Sequence, residues 1–329
     1  MTAHERGQAL HAFGFTDRQA RFLATVMVHA GVCLGRQYCQ FAGIARGQVM
    51  HDFFRDLVTR GYATAYQRAH GTLHLYHIHG KALYQAVGEP NNRNRRAIPL
   101  PRAIERIMVL DAVLGRPDVT WLATERDKVT YFTRSGRLRP RELPHLAFGD
   151  DRDVTIRYFP DKLPIGVEPD GRTHVFVYLV TRPTPVDFRA FLHRHAEILR
   201  TLARWRLRLL FPPHFEGAVP VYEAAVIDEL ASPLQATTLD ELKWFFQQRR
   251  TLDASPAIVA DVRYQQAQEA FATPRFRVLY RTWLQYGDAA LYATLSPVLA
   301  EAFARRSGEL ECVVLPDPYR HLVSLVGTA

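Results

Sequence analysis

The segment from Ala45 to Arg60 sets Arg46, Gln48, His51 and Arg55 against an apolar stripe of Val49, Met50, Phe53, Phe54, Leu57 and Val58. The stripe repeats at i, i+4 and i+8, so a helix is expected with one face buried and the other offering donors and acceptors. Those polar types suit base-pair edges. Arginine can donate two parallel hydrogen bonds to guanine, glutamine can pair with adenine, and arginine and histidine can meet phosphate. Gly47 would let the start of such a helix approach a partner closely. Asp52 and Asp56 act against this use, because a carboxylate facing the groove repels phosphate.

The distribution of charge points the same way. Between residues 1 and 110 there are fourteen basic residues and six acidic ones, which accounts for nearly all of the chain's net charge of +9. A basic N-terminal third on a nearly neutral remainder is the footprint of a polyanion partner. Arg36 opens a short second helix in this region. Arg68 and His70 fall at the tip of an expected hairpin, where they could touch backbone or minor groove. Arg93, Arg95 and Arg96 could form a basic arm reaching an adjacent minor groove. The expected DNA-contacting set is therefore Arg36, Arg46, Gln48, His51, Arg55, Arg68, His70, Arg93, Arg95 and Arg96.

Other chemistry is weaker. Glu168-Pro169-Asp170-Gly171 before the apolar run His174 to Val180 has the outline of a metal-dependent nuclease motif, with Asp170 as first acid. The next strand offers Val177-Tyr178-Leu179 and neither the acid nor the lysine that would hold a divalent cation and activate water. Pro-Asp-Gly is also a common turn. His74, His77 and His79 alternate along one strand, which puts His77 and His79 on the same face, and Cys33 and Cys39 lack the close pairing of zinc ligands. The histidines are expected on the hairpin, exposed or against phosphate. Glu125, Asp127 and Lys128 cluster after Trp121 and read as helix-capping charges. No phosphate-binding glycine loop, nucleophile elbow or dinucleotide fingerprint is present, so no cofactor, metal or catalytic residue is expected. Three cysteines, Cys33, Cys39 and Cys312, give no disulfide framework. No apolar run reaches the length of about 18 residues that spans a bilayer, and Met1 to Leu10 lacks a signal-peptide core. A cytoplasmic protein is expected.

The elements that must hold these residues follow from periodicity. Thr16 with Gln19 forms a capping box for a helix ending near His29. A short helix fits Arg36 to Phe41, the long one Ala45 to Arg60, and Gly61 stops it. Tyr62 to Tyr66 and Thr72 to His79 read as strands, and Gly80 to Val87 as a closing helix. That order is a winged helix-turn-helix over residues 1–88. Residues 89–102, with Pro90, Pro99 and Pro101, read as a basic linker. Residues 103–215 read as α/β, with a helix at Ala103 to Leu114, a strand at Val119 to Thr124 and a helix at Glu125 to Thr133. Strands follow at Val154 to Phe159 and His174 to Thr181, then a crossover helix at Val186 to Trp205 and a strand at Arg206 to Phe211. Residues 216–329 read as mainly helical, over Thr238 to Arg250, Ala257 to Ala272, Arg275 to Tyr286 and Ala289 to Arg306. Short strands at Glu311 to Leu315 and His321 to Val326 would return to the middle sheet. The fold class is mixed α+β.

The run Phe15-Thr16-Asp17-Arg18-Gln19-Ala20, the Gly61 turn and the hairpin after it resemble the N-terminal module of the replication-relaxation family, whose members are associated with plasmids and other mobile elements. The resemblance implies a winged helix followed by a domain similar to a restriction endonuclease fold, here in degenerate form. Together these expectations describe a sequence-specific duplex-DNA binder, a transcriptional regulator of a mobile element. Its C-terminal region would dimerise, sense a ligand or bind a protein partner. The alternatives are a metal-dependent endonuclease or relaxase-like factor and a non-catalytic adaptor in a DNA-processing complex.

Overall fold

Thr16 and Gln19 close the expected capping box. Thr16 Oγ1 accepts from the Gln19 amide at 3.4 Å, and Gln19 Oε1 accepts from the Thr16 amide at 3.0 Å. A second box, from Thr2 and Glu5, starts a helix in the first ten residues that no apolar stripe announces. The computed structural model describes residues 1–67, 74–134, 138–149, 154–254, 261–316 and 319. It is a mixed α+β structure with several sheets, and it divides into two compact units. The first comprises residues 1–127, 163–169 and 315–329, and the second residues 128–162 and 170–314. No helix among the described residues is long and apolar enough to cross a membrane.

The first unit runs α1 (Ala3–Leu10), α2 (Asp17–His29), β1 (Val32–Leu34), α3 (Gly35–Ala42), α4 (Gln48–Thr59), β2 (Ala63–Gln67), β3 (His74–Ile78), α5 (Lys81–Ala86), α6 (Leu100–Leu114) and β4 (Thr120–Leu122). Helix α7 (Glu125–Arg134) begins in it and continues into the second unit. Strands β1, β3 and β2 form an antiparallel sheet in that order, with Tyr76 of β3 opposite both Cys33 and Ala65. The core is aromatic. Tyr38 lies 4.5 Å from Phe53 between ring centroids, and Phe54 stacks on Tyr76 at 3.9 Å. Helices α3 and α4 approach closely because position 35 is glycine: a Cβ there would sit 2.4 Å from Met50 Sδ.

The second unit holds β5 (His145–Phe148) and β6 (Thr155–Tyr158), while β7 (Ile165–Val167) returns to the first unit and pairs antiparallel with β4. Then follow β8 (Thr173–Leu179), α8 (Val186–Thr201), β9 (Arg204–Phe211), α9 (Val219–Val226), α10 (Ala236–Ala254), α11 (Val262–Ala270), α12 (Pro274–Tyr286), α13 (Asp288–Tyr292), α14 (Val298–Ala304) and β10 (Gly308–Val314). Strands β8 and β9 are parallel with α8 as their crossover, and β10 adds parallel to β9. All seven residues of β8 are buried, as a continuous apolar run in a covered parallel sheet requires. Helices α10 to α13 share one core, with Leu242, Phe245, Phe246, Tyr280 and Trp283 in it.

Several expectations are corrected. The strand expected at Val154 to Phe159 does not join β8 and β9. It pairs with β5 in a separate ribbon, because Thr155, Ile156 and Arg157 are exposed and offer no covered face. Helix α8 stops at Thr201, four residues early. From Arg204 burial alternates with period two, and Trp205 is a buried strand residue. The helix expected over Ala289 to Arg306 is broken at Ser296, which is extended before Pro297. Residues 89–102 do not run as a free linker: a 3₁₀ turn spans Arg93–Arg95, Asn94 is buried, and α6 already starts at Leu100. The strand expected at His321 to Val326 lies outside the described residues.

Candidate nucleic-acid interface

Helix α4 buries Met50, Phe53, Phe54 and Leu57 and exposes Gln48, Val49, His51, Arg55 and Asp56. It begins at Gln48 rather than Ala45, so Arg46 stands exposed in the loop before the helix. The extended Gly47 separates Arg46 from the first turn. Val49, 64% exposed, and Val58, 38% exposed, are the large apolar side chains that α4 leaves in the open. Asp52 does not project alone. Its Oδ1 accepts from Gln48 Nε2 at 2.6 Å and also from Arg55 Nη2. Asp56 is likewise matched by Arg60 Nη1 at 3.0 Å. Arg60 itself is anchored, donating to the Phe13 carbonyl at 2.7 Å and lying over the Tyr62 ring at 4.7 Å. The acids that counted against this face in the sequence are thus neutralised along the helix, at the cost of restraining two of the donors.

Arg36 leaves the set. Its guanidinium makes a two-pronged pair with Asp111 of α6, at 2.9 and 2.6 Å, and lies over the Tyr319 ring. Gln37 and Tyr319 also donate to Asp111. The pull is bidentate ion pairing in a half-buried site, which fixes Arg36 against α6.

Residues 93–96 are no free arm. Asn94 Nδ2 donates to the Met27 carbonyl at 2.9 Å, and the Asn94 carbonyl bonds His77 Nε2 at 3.0 Å. Gly31 makes room for this. Its φ is +73°, and a Cβ there would sit 2.4 Å from the Asn94 oxygen. Arg95 folds back to the Pro90 carbonyl at 2.5 Å, while Arg93 and Arg96 are exposed. Arg68 and His70 lie outside the described residues.

The histidines of β3 are not a phosphate-facing row. His77 is buried on the Asn94 carbonyl, and desolvation holds its pKa below the ordinary imidazole value. His79 shares its face, 5.5 Å away, and bonds Thr64 Oγ1 at 2.9 Å. Among the described residues, no group of three or more His, Cys, Asp or Glu could hold a metal ion. Asp170 closes a turn. Its Oδ1 accepts from the Arg172 and Thr173 amides, both at 2.8 Å, and its Oδ2 from Thr173 Oγ1 at 2.7 Å. Those hydrogen bonds draw its carboxyl down to about 2. Asp127 caps α7 in a reciprocal box with Thr124 and receives both prongs of Arg6, at 2.9 and 2.8 Å. Lys128 is buried in the second unit, with its ammonium 5.5 Å from the Phe159 ring.

A second polar cluster, absent from the sequence expectations, lies in the second unit. A π-helical turn over Ile227–Ala231 carries Glu229, whose side chain is 3% exposed. Arg189 Nη1 donates to it at 2.5 Å and His193 Nε2 pairs with it at 2.8 Å, with Arg275 Nε at 3.8 Å. Burial would raise the Glu229 carboxyl, but His193 and Arg189 outweigh it and hold it below its ordinary value. Arg189 and His193 stand four residues apart on α8, which puts them on one side of the helix.

No protein-family model, curated protein or solved structure matches this chain.

Proposed function

We propose that residues 1–88 are a winged helix-turn-helix that binds duplex DNA, with α4 as the recognition helix, and that the chain acts as a sequence-specific transcriptional regulator. The observation that carries this reading is the two-faced character of α4: four large apolar side chains inward, and Gln48, His51 and Arg55 outward, with Arg46 just ahead of the first turn. A helix that enters the major groove needs that division. The strand order β1-β3-β2, with two helices between β1 and β2, is the arrangement that supports such a helix. Gln48 and Arg55 are assigned to base edges, and Arg46 and His51 to phosphate. The antiparallel pair β2 and β3 takes the part of the wing. A homodimer would read two half-sites about 34 Å apart.

Selection of bound duplexes from a random pool by the full chain tests this reading. The expected result is an enriched motif whose affinity falls about tenfold or more on Gln48→Ala or Arg55→Ala, the cost of one lost base contact. Failure to enrich any duplex, with no measurable binding at low salt, would overturn it and leave the same face to a protein partner.

A further inference from the structure

We infer that the second unit contains a binding site for a small organic acid, a carboxylate on an apolar, ring-sized body. A cavity of about 300 Å³ lies between α8, the loop at Arg141 to His145 and the α12–α13 region. That volume falls at the lower end of small-molecule sites. Space is left because Ala196, Ala290 and Ala293 face it where larger residues would fill it, and most of the exposed wall is apolar.

The charges on the wall identify what is missing. Each of its carboxylates has a partner. Glu229 is held by Arg189 and His193, Glu142 accepts from the Arg139 amide at 2.7 Å, and Glu197 pairs with Arg200. A cationic ligand would compete with Arg189 and His193 for Glu229 and with Arg200 for Glu197. The basic side chains are not all spent. Arg194 is committed to Asp161. Arg141 is exposed at the rim and meets no carboxylate at ion-pair distance among the described residues. Arg200 is held by Glu197 through Nη1 and by the Ala293 carbonyl through Nη2, at 2.6 Å, and keeps only a buried Nε without a partner. The walls thus offer the Arg141 guanidinium and one Arg200 N–H beside an apolar body, and a monocarboxylate supplies both complements. A multiply charged phosphate would leave the apolar walls unmatched. All these residues belong to the second unit, so the site stands whether or not the first unit binds DNA.

Calorimetric titration of the full chain with benzoate, phenylacetate, hexanoate, benzamide, benzylamine and inorganic phosphate tests the inference. Saturable binding of at least one carboxylate is expected, with benzamide and benzylamine at least tenfold weaker and phosphate without effect, because one charge-assisted hydrogen bond is worth about that factor or more. Arg141→Gln, at an exposed position, should weaken the carboxylate about tenfold. Ala290→Leu should close the cavity and abolish binding while the chain keeps its far-UV circular dichroism. Absence of saturable binding by all three carboxylates at millimolar concentration would overturn the inference. So would equal binding of benzamide, or unchanged carboxylate affinity in both variants.

Discussion

Asp52 is the residue on which the behaviour of α4 turns. Its carboxylate accepts from Gln48 and Arg55 together, so it competes with a base for each of them. Removing that charge should help binding. Asp52→Asn is expected to raise affinity for the selected duplex about threefold to tenfold, since it frees Arg55 and deletes a repulsion toward phosphate. Fluorescence anisotropy with labelled duplex reads this directly, and a loss of affinity would count against the assignment of this face. A different residue sets the response to acid. His195 is fully buried, with Nδ1 on the Phe191 carbonyl, and desolvation lowers it to about 4. An unfolded histidine takes a proton near pH 6.5 and the native one does not, so the contribution is complete above pH 6.5 and is lost as pH falls towards 4. The expected loss of unfolding free energy is about 3 kcal/mol across that window. Urea denaturation at pH 7, 5.5 and 4 measures it, and His195→Leu should flatten most of the slope. His174, lowered mainly by burial, adds a smaller effect of the same sign.

At the scale of elements, two contacts can be separated by mutation. Arg189 and Glu229 are 7% and 3% exposed, and they join α8 to the π-helical turn. Arg189→Met is expected to cost about 3 to 5 kcal/mol, because Glu229 stays buried with one cation fewer. Adding Glu229→Leu should recover much of that loss. Chemical denaturation of the two variants checks it. Asn94 pins residues 89–102 to the end of α2, so Asn94→Ala should speed tryptic cleavage after Arg95 and Arg96 while the far-UV spectrum holds. An unchanged cleavage rate would show that Asn94 does not hold the segment. The same elements show what was legible in the sequence. The Thr16–Gln19 box, the α4 stripe and the apolar run of β8 are local patterns, and each produced the expected element. The packing of 89–102 depends on Gly31 and Met27, more than sixty residues away, so its prolines and arginines suggested a linker. The diversion of Arg36 to Asp111 is equally non-local. The spacing of Arg189 and His193 on α8 was legible, but their partner Glu229 was not, because the cluster also draws on Arg275 of α12 and meets only in the fold.

On the scale of the whole molecule, the chain separates its basic excess from its cavity. The basic excess lies within the first 110 residues, and the cavity lies in the second unit. Such a division suits a regulator in which one part meets DNA and the other meets a small acid. The central claim is that α4 meets duplex DNA, and the most direct test is the salt dependence of binding to the selected duplex. For the intact chain, log affinity is expected to fall linearly with log salt, at a slope of about −0.9 for each phosphate contacted. Arg46→Ala should make that slope shallower by about one unit without changing the preferred sequence, whereas Gln48→Ala should relax the sequence preference and leave the slope in place. Binding that is indifferent to salt, or identical in both variants and the intact chain, would contradict the account.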